Sequence, residues 1–430
     1  MGLRPFGMLN AMAQGASTDY KALVCIFLYG GNDANNMLVP FDATGYANYA
    51  KIRGPLALPQ TGTGSLLQLG ALPNFALNPN LPDIATLFNN RNAALVANVG
   101  TLVEPTTRAQ FLAGQMLPSN LFSHPDQQLE WQNAAPTGGT ATGWAGRIAD
   151  TLNASYNPNA SIPMITSVAG DTLFCNGSSS TPVSVSPGNI SGASCSEGTT
   201  ECGAQLATAQ ALLTFDSGLT LVQADDSITT NAYQYAKTLT AATQSVSALK
   251  TVFPANNGLA TQLKQIAQII QVRAALGVNR QIFFAGIGNF DTHSDQLTLQ
   301  NALLAQISPA LAAFYQATQE LSVANNVTSF TMSDFSRTFQ PNSNTGTDHA
   351  WGSHHIVIGG AVKGGQMYGT FPQLVLNGPD DSGTNGRWVP TTGSMQYAAT
   401  LAQWFGVTAA QLPNIFPNIG SFSQETLGFI

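Results

Sequence analysis

Several stretches of this chain are continuously apolar rather than alternating. Lys21 to Tyr29 is the first, and it ends in Gly30-Gly31-Asn32-Asp33. Ala93 to Val99 is a second, Gln281 to Ile287 a third, Val327 to Met332 a fourth and Ile356 to Ile358 a fifth. A strand buried on both faces has no polar side to display, so these runs predict central strands of a parallel sheet covered by helices. Between them the apolar spacing becomes helical. Leu259, Leu263, Ile266 and Ile270 recur every three or four residues, with Gly277 suited to cap that helix. Leu303, Leu304, Ile307, Leu311, Phe314 and Tyr315 mark another helix, which Pro309 must start, bend or interrupt. Strands alternating with helices predict an α/β protein, a three-layer α/β/α domain with a mostly parallel sheet.

The polar residues at the strand ends then line up. Asp33 follows the first run, Asp291 and His293 the third, and Asp334 the fourth. Ligands of open α/β sheets bind beyond the carboxyl ends of the strands, so these groups are expected on one edge. Histidine is sparse: the chain has 5, and His349, His354 and His355 lie close together before the fifth run. Imidazoles beside carboxylates suit zinc, manganese or iron, whereas carboxylates with Asn35 or Asn36 suit calcium or magnesium. We therefore expect a divalent metal, zinc favoured, held among Asp33, Asp291, His293, Asp334, His349, His354 and His355. Any one of the aspartates alone could instead cap a helix. Arg337, three residues beyond Asp334, could grip a tetrahedral anion with its forked donors or pair with Asp334 or Asp348. Lys363 between glycines reads as a solvated turn residue, and Trp144 and Trp351 as core.

Composition narrows the partners. Charged residues make up 9%, against about a quarter in ordinary domains, and no basic run occurs in a chain of net charge −7. Nucleic acid is excluded on that pattern. The neutral, amide-rich surface suits an exported protein. Residues 1–17 read as the tail of an export signal, because Ala11-Met12-Ala13 has the small-x-small form of a cleavage site; the alternative is an apolar N-terminal arm. No uninterrupted apolar stretch of membrane-spanning length occurs, so no transmembrane segment is expected. Residues 18–430 are expected to form a single domain, with a Ser/Gly/Thr-rich surface insertion near 176–203. Cys25 inside the first strand reads as an inert core thiol, whereas Cys175, Cys195 and Cys202 allow one disulfide in or beside that insertion.

Taken together, Gly30-Gly31-Asn32-Asp33, Phe290-Asp291-Thr292-His293, Ser333-Asp334-Phe335-Ser336-Arg337-Thr338 and Asp348-His349-Ala350-Trp351-Gly352-Ser353-His354-His355 resemble the bacterial family called domain of unknown function 1501. Gly359 to Gly365 and Tyr397 to Gly406 extend the resemblance over nearly the whole chain. It implies a twin-arginine export signal and a distant relation to the alkaline phosphatase and sulfatase superfamily, whose reactions are metal-assisted transfers of phosphoryl or sulfuryl groups. On that resemblance Asp33 matches the first-strand metal aspartate, Asp291 and His293 an Asp/His pair, and one of His349, His354 and His355 a late histidine ligand. Asp334 matches the aspartate of an Asp-His-Gly motif, but Phe335 stands where histidine is expected, which favours one metal over two. Ser123, before His124, matches the nucleophile that opens a helix, and with Pro125 following it serves equally well as a helix cap. The expectation is a periplasmic or secreted metal-dependent hydrolase of phosphate or sulfate esters. Ser123 would attack, Arg337 would hold the anion, and His124 or one of the clustered histidines would move a proton. The alternative is a non-catalytic envelope or cell-surface protein that keeps the fold and a structural metal, its partner an envelope component rather than a small anionic ester.

Overall fold

A computed structural model of the chain describes residues 19–137, 139–188, 200–214 and 218–430. In chain order the strands are β1 (Lys21–Leu28), β2 (Leu38–Pro40), β3 (Leu67–Leu69), β4 (Leu72–Leu77), β5 (Ala93–Gly100), β6 (Ile165–Ser167), β7 (Val183–Ser184), β8 (Arg280–Ile287), β9 (Val327–Ser333), β10 (Ser353–Gly359), β11 (Met367–Tyr368) and β12 (Thr392–Gly393). The helices that frame the site are α1 (Ala43–Arg53), α2 (Pro82–Asn89), α3 (His124–Asn133), α4 (Trp144–Tyr156), α5 (Gly258–Gln271), α6 (Gln296–Glu320) and α7 (Ser394–Phe405).

β1 lies in the middle of the main sheet, parallel to β8 on one side and β9 on the other. β6 and β7 continue in parallel beyond β8. On the far side β10 runs antiparallel to both β9 and β5, and the short β11 and β12 run parallel to β5. The sheet is therefore mixed and mostly parallel. β2, β4 and β3 form a separate small sheet.

The side-chain period of two explains why β1 has no polar face. Ala22, Val24, Ile26 and Leu28 enter one core together with residues of α2, α5 and α6. Leu23, Cys25 and Phe27 enter a second core with residues of α4 and α7. Both faces are covered, and each buried Val, Leu, Ile or Phe contributes about 1.5–3 kcal/mol.

Two helices differ in detail from the sequence expectation. α5 ends at Gln271, well short of Gly277, whose positive φ instead turns the chain toward β8. α6 runs unbroken through Pro309. The carbonyl that Pro309 cannot serve belongs to Ala305, an exposed residue of α6. α6 is long and apolar enough to cross a membrane, but Leu304, Ile307, Leu311 and Phe314 bury its inner face in the core.

The cysteines narrow the expected pairing. Cys25 is buried and free as expected, but Cys175 is also buried and free, in a single turn over Leu173–Cys175 packed into the second core. It therefore takes no part in a disulfide. Cys195 and the Cys202 side chain, and with them the remaining choice of disulfide, lie outside what the structure describes, as does the expected export signal. The 176–203 segment is also not purely a surface excursion, since β7 joins the sheet and Val183 and Val185 are buried.

Candidate metal centre

Because β1, β8 and β9 are parallel, the residues that follow them emerge side by side. β10 is antiparallel to β9, so the residues that precede it reach the same edge. This geometry brings Asp291, His293, Asp334 and His349 together. α3 adds His124 at its first turn, where Pro125 supplies the fixed φ of a helix start.

Three imidazoles converge on one carboxylate oxygen. Asp291 Oδ1 lies 3.4 Å from His124 Nε2, 3.1 Å from His293 Nε2 and 3.5 Å from His349 Nε2. Each ring is held from behind through its other nitrogen. His124 Nδ1 is 2.7 Å from Asp334 Oδ2, His293 Nδ1 is 3.2 Å from Asp348 Oδ1, and His349 Nδ1 is 2.6 Å from the Phe122 carbonyl oxygen. A carbonyl oxygen only accepts, so His349 carries its proton on Nδ1 and turns the Nε2 lone pair inward; a carboxylate oxygen facing Nδ1 favours the same tautomer in the other two rings.

The result is a cluster of lone pairs facing one another. His293 Nε2 and His349 Nε2 are 3.0 Å apart, and His124 Nε2 is buried with no hydrogen-bond partner. A cation removes that repulsion. For metal–ligand bonds of about 2.0–2.1 Å in a tetrahedron, the ligand atoms lie about 3.3 Å apart, and the separations here scatter around that value. The ligand atoms of His124, Asp291 and His349 all lie within 4.8 Å of one another, and His293 stands beside that trio with its Nε2 3.1 Å from Asp291 Oδ1. Imidazoles braced through Nδ1 by carboxylates or carbonyls are the arrangement by which proteins orient metal-binding histidines. The residues present thus fit a single divalent ion.

The local electrostatics prepare Asp291 and His349 for a cation, while at His124 a proton competes with it. Burial works to raise the Asp291 pKa, but the hydrogen bond and charge of Arg337, with His124 and His293 nearby, hold it down at about 2. The hydrogen bond to Asp334 raises the His124 pKa against the opposing effect of burial. Burial lowers that of His349, keeping its lone pair available.

The remaining expected site residues have other tasks. Arg337 is buried and its donors are spent: Nε on the Gly31 carbonyl, Nη1 on that of Thr347 and toward His293 Nε2 at 3.5 Å, and Nη2 on that of Gly30 and on Asp291. It positions Asp291 and has no donor left for a substrate anion. Asp33 is turned away from the cluster, ion-paired with buried Arg53 and bonded by Gln296 and the Asn35 N–H. It anchors the turn after β1 and is no ligand. Asn35 and Asn36 are likewise bonded within the fold, to the Arg337 carbonyl and Trp388, and to Tyr49 and Arg53.

His354 and His355 are the second and third residues of β10, and both are buried. His354 stacks on Phe371 and accepts from the Asn98 N–H, while His355 packs against Trp131 and Tyr397. Burial drives both pKa values down to about 3, so they are neutral core residues. The Ser123 hydroxyl donates to Asp126 on its own helix, with no contact to Asp291 or the clustered imidazoles. Lys363 is exposed at a turn, and Trp144 and Trp351 are core residues.

Phe335 forms the floor of the site. Its ring lies 4.7 Å from those of both His124 and His349. Gly31, at φ +79, passes so close that a Cβ would sit 2.6 Å from the Phe335 ring, and at Gly30 (φ +110) it would sit 2.5 Å from the Asp291 nitrogen. Only glycine permits this approach of backbone to site. Three contributors carried no signal of this role in sequence: His124 as a donor, Asp348 as a brace and the Phe122 carbonyl.

The family model described as protein of unknown function (DUF1501) matches residues 20–382. The chain belongs to this family. No curated protein matches it in sequence. Among solved structures it is similar to the lipoteichoic acid synthase LtaP from Listeria monocytogenes, at 8% identity over 94% of this chain and 78% of that one, TM-score 0.34. It is also similar to the PsFucS1 sulfatase from Pseudoalteromonas sp., at 8% identity over 86% and 70%, TM-score 0.33. A third is the phosphonate monoester hydrolase of Agrobacterium radiobacter, at 8% identity over 89% and 74%, TM-score 0.33. These likenesses are loose, and no residue role is carried across them.

Proposed function

We propose that this family member is an exported, metal-dependent hydrolase of phosphate or sulfate esters. The observation that carries the proposal is the convergence of three braced imidazole lone pairs on the Asp291 carboxylate. His124, Asp291 and His349 would hold the ion with His293 beside them, and a donor set rich in imidazole favours zinc over calcium, magnesium or manganese. Such an ion acts as a Lewis acid and neutralises charge developing on the ester oxygens. The chain's own residues orient and shield. Asp334, Asp348 and the Phe122 carbonyl fix the three rings, Arg337 fixes Asp291, and Phe335 closes the inner side. Asp291 and His293 are 48% and 45% exposed, which leaves one side open to an ester and to an attacking water. Water is the nucleophile in this proposal, because the only hydrogen bond of the Ser123 hydroxyl runs to Asp126 and none joins it to Asp291 or the clustered imidazoles. The poorly charged composition and the Ala11-Met12-Ala13 signature support a periplasmic or secreted location.

A second reading has one specific observation in its favour. Each of the three grouped donors is held by the fold, His124 by Asp334, Asp291 by Arg337 and His349 by the Phe122 carbonyl, which would suit a structural ion in a non-catalytic envelope protein. Metal analysis of protein purified without chelator or added metal tests both. The hydrolase reading expects about one divalent ion per chain, its loss in Asp291→Ala, and turnover of an aryl phosphate or aryl sulfate that disappears with the metal. Metal without turnover of either ester favours the structural reading. Protein that binds no divalent ion overturns both.

A further inference from the structure

A hydrolase of anionic esters needs a cation that can leave its protein partners for the substrate. The two buried arginines at this edge cannot: Arg53 is paired with Asp33, and Arg337 is consumed by four carbonyl and carboxylate oxygens. Arg108 is also engaged, by the Asp381 carbonyl and Asn377. Arg387 is different. Among the described residues its guanidinium has neither a carboxylate nor a carbonyl partner, and its Nε is buried and unpartnered.

Its position is well defined. The guanidinium carbon lies 4.6 Å from the centre of the Phe122 ring. The carbonyl of the same Phe122 holds His349 Nδ1. Phe122 reaches both partners through a left-handed backbone, φ +73, which is strained for a non-glycine residue and is retained mostly where a site requires it. The base of Arg387 is equally constrained. Its N–H donates to Asp381, a fully buried carboxylate that also collects the N–H groups of Asn377, Gly383 and Gly386. A rigid loop thus delivers an unpaired, forked cation to the ring of the residue that braces a metal-site histidine. Stacking on an aromatic face steadies a guanidinium while leaving its outer donors free for an oxyanion.

We propose that Arg387 grips the tetrahedral oxyanion of the substrate, phosphate or sulfate, beside the metal centre. This rests on the hydrolase reading above, and deepens it by naming the group that recognises the anion.

The test is calorimetric titration of inorganic phosphate, and separately of sulfate, into the full chain with and without zinc. Wild type is compared with Arg387→Gln and Arg387→Lys, with metal content and melting temperature measured on each. One anion should bind wild type, which identifies the ester class. Arg387→Gln should weaken that binding about 10- to 100-fold, the range of a charge-assisted pair, with metal content and melting temperature unchanged. Arg387→Lys, which keeps the charge and loses the fork, should fall between them. If zinc is bound but Arg387→Gln binds the anion as wild type does, Arg387 is not the anion residue and the metal reading survives. If no metal is bound yet the anion depends on Arg387, the anion site stands and the hydrolase reading fails. Wild type that binds neither anion overturns the proposal.

Discussion

The paired core histidines give this fold a calculable sensitivity to acid. His354 and His355 are held neutral by burial, with pKa values lowered from 6.5 to about 3. The unfolded chain binds protons at these rings from about pH 6.5 downward, whereas the folded chain refuses them until about pH 3. Stability is therefore complete above about pH 6.5 and falls as the pH drops through the window between the two values. At pH 5 each ring costs the fold about 2 kcal/mol and the pair about 4 kcal/mol, from about 1.4 kcal/mol per pH unit per group. That is a large part of the roughly 5–15 kcal/mol by which domains are stable. Urea unfolding at pH 7.5 and pH 5 measures it, with His354→Asn as the comparison. The asparagine oxygen can still accept the Asn98 N–H that His354 Nδ1 accepts. The variant starts less stable, but it should lose only about half as much between the two pH values. Protonation of the metal-site histidines affects both proteins alike and cancels in that difference. Equal losses in wild type and variant would refute the assignment of His354 as a neutral core residue.

Arg53→Met should cost about 3–5 kcal/mol in the same unfolding assay, because it leaves the buried Asp33 carboxylate without its cation. An Arg53→Met chain as stable as wild type would show that Asp33 is not committed to the fold. Asp348→Ala removes the brace behind His293 without touching a donor atom, and should weaken zinc binding about 10- to 100-fold in a chelator competition. Unchanged affinity would place His293 outside the metal shell.

The sheet and its functional edge were legible in sequence for a simple reason. A strand covered on both faces must be apolar throughout, so β1, β5, β8 and β9 announced themselves, and the polar residues just beyond β8 and β9 had nowhere to go but the edge. Asp33, Asp291, His293 and Asp334 were expected there by that logic, and His349 only as one of three clustered histidines. The same logic bears on His354 and His355: both lie within β10 rather than beyond its end, and a residue inside a doubly covered strand is core whatever its chemistry. What the sequence could not decide was which charged groups are spent on the fold. Asp33 and Arg337 have the residue types and positions of a ligand and an anion clamp. Only packing revealed that Arg53, 20 residues away, neutralises Asp33, and that the carbonyls of Gly30 and Gly31 absorb Arg337. His124 shows the converse. Its helix has no marked apolar stripe to say which way it faces, and the first turn becomes a donor only because Asp334, 210 residues later, holds its ring. Local pattern fixes which residues reach a surface or an edge, because burial depends on side-chain period. The pairing of charges depends on distances between segments far apart in the chain, and those exist only once the tertiary structure has formed.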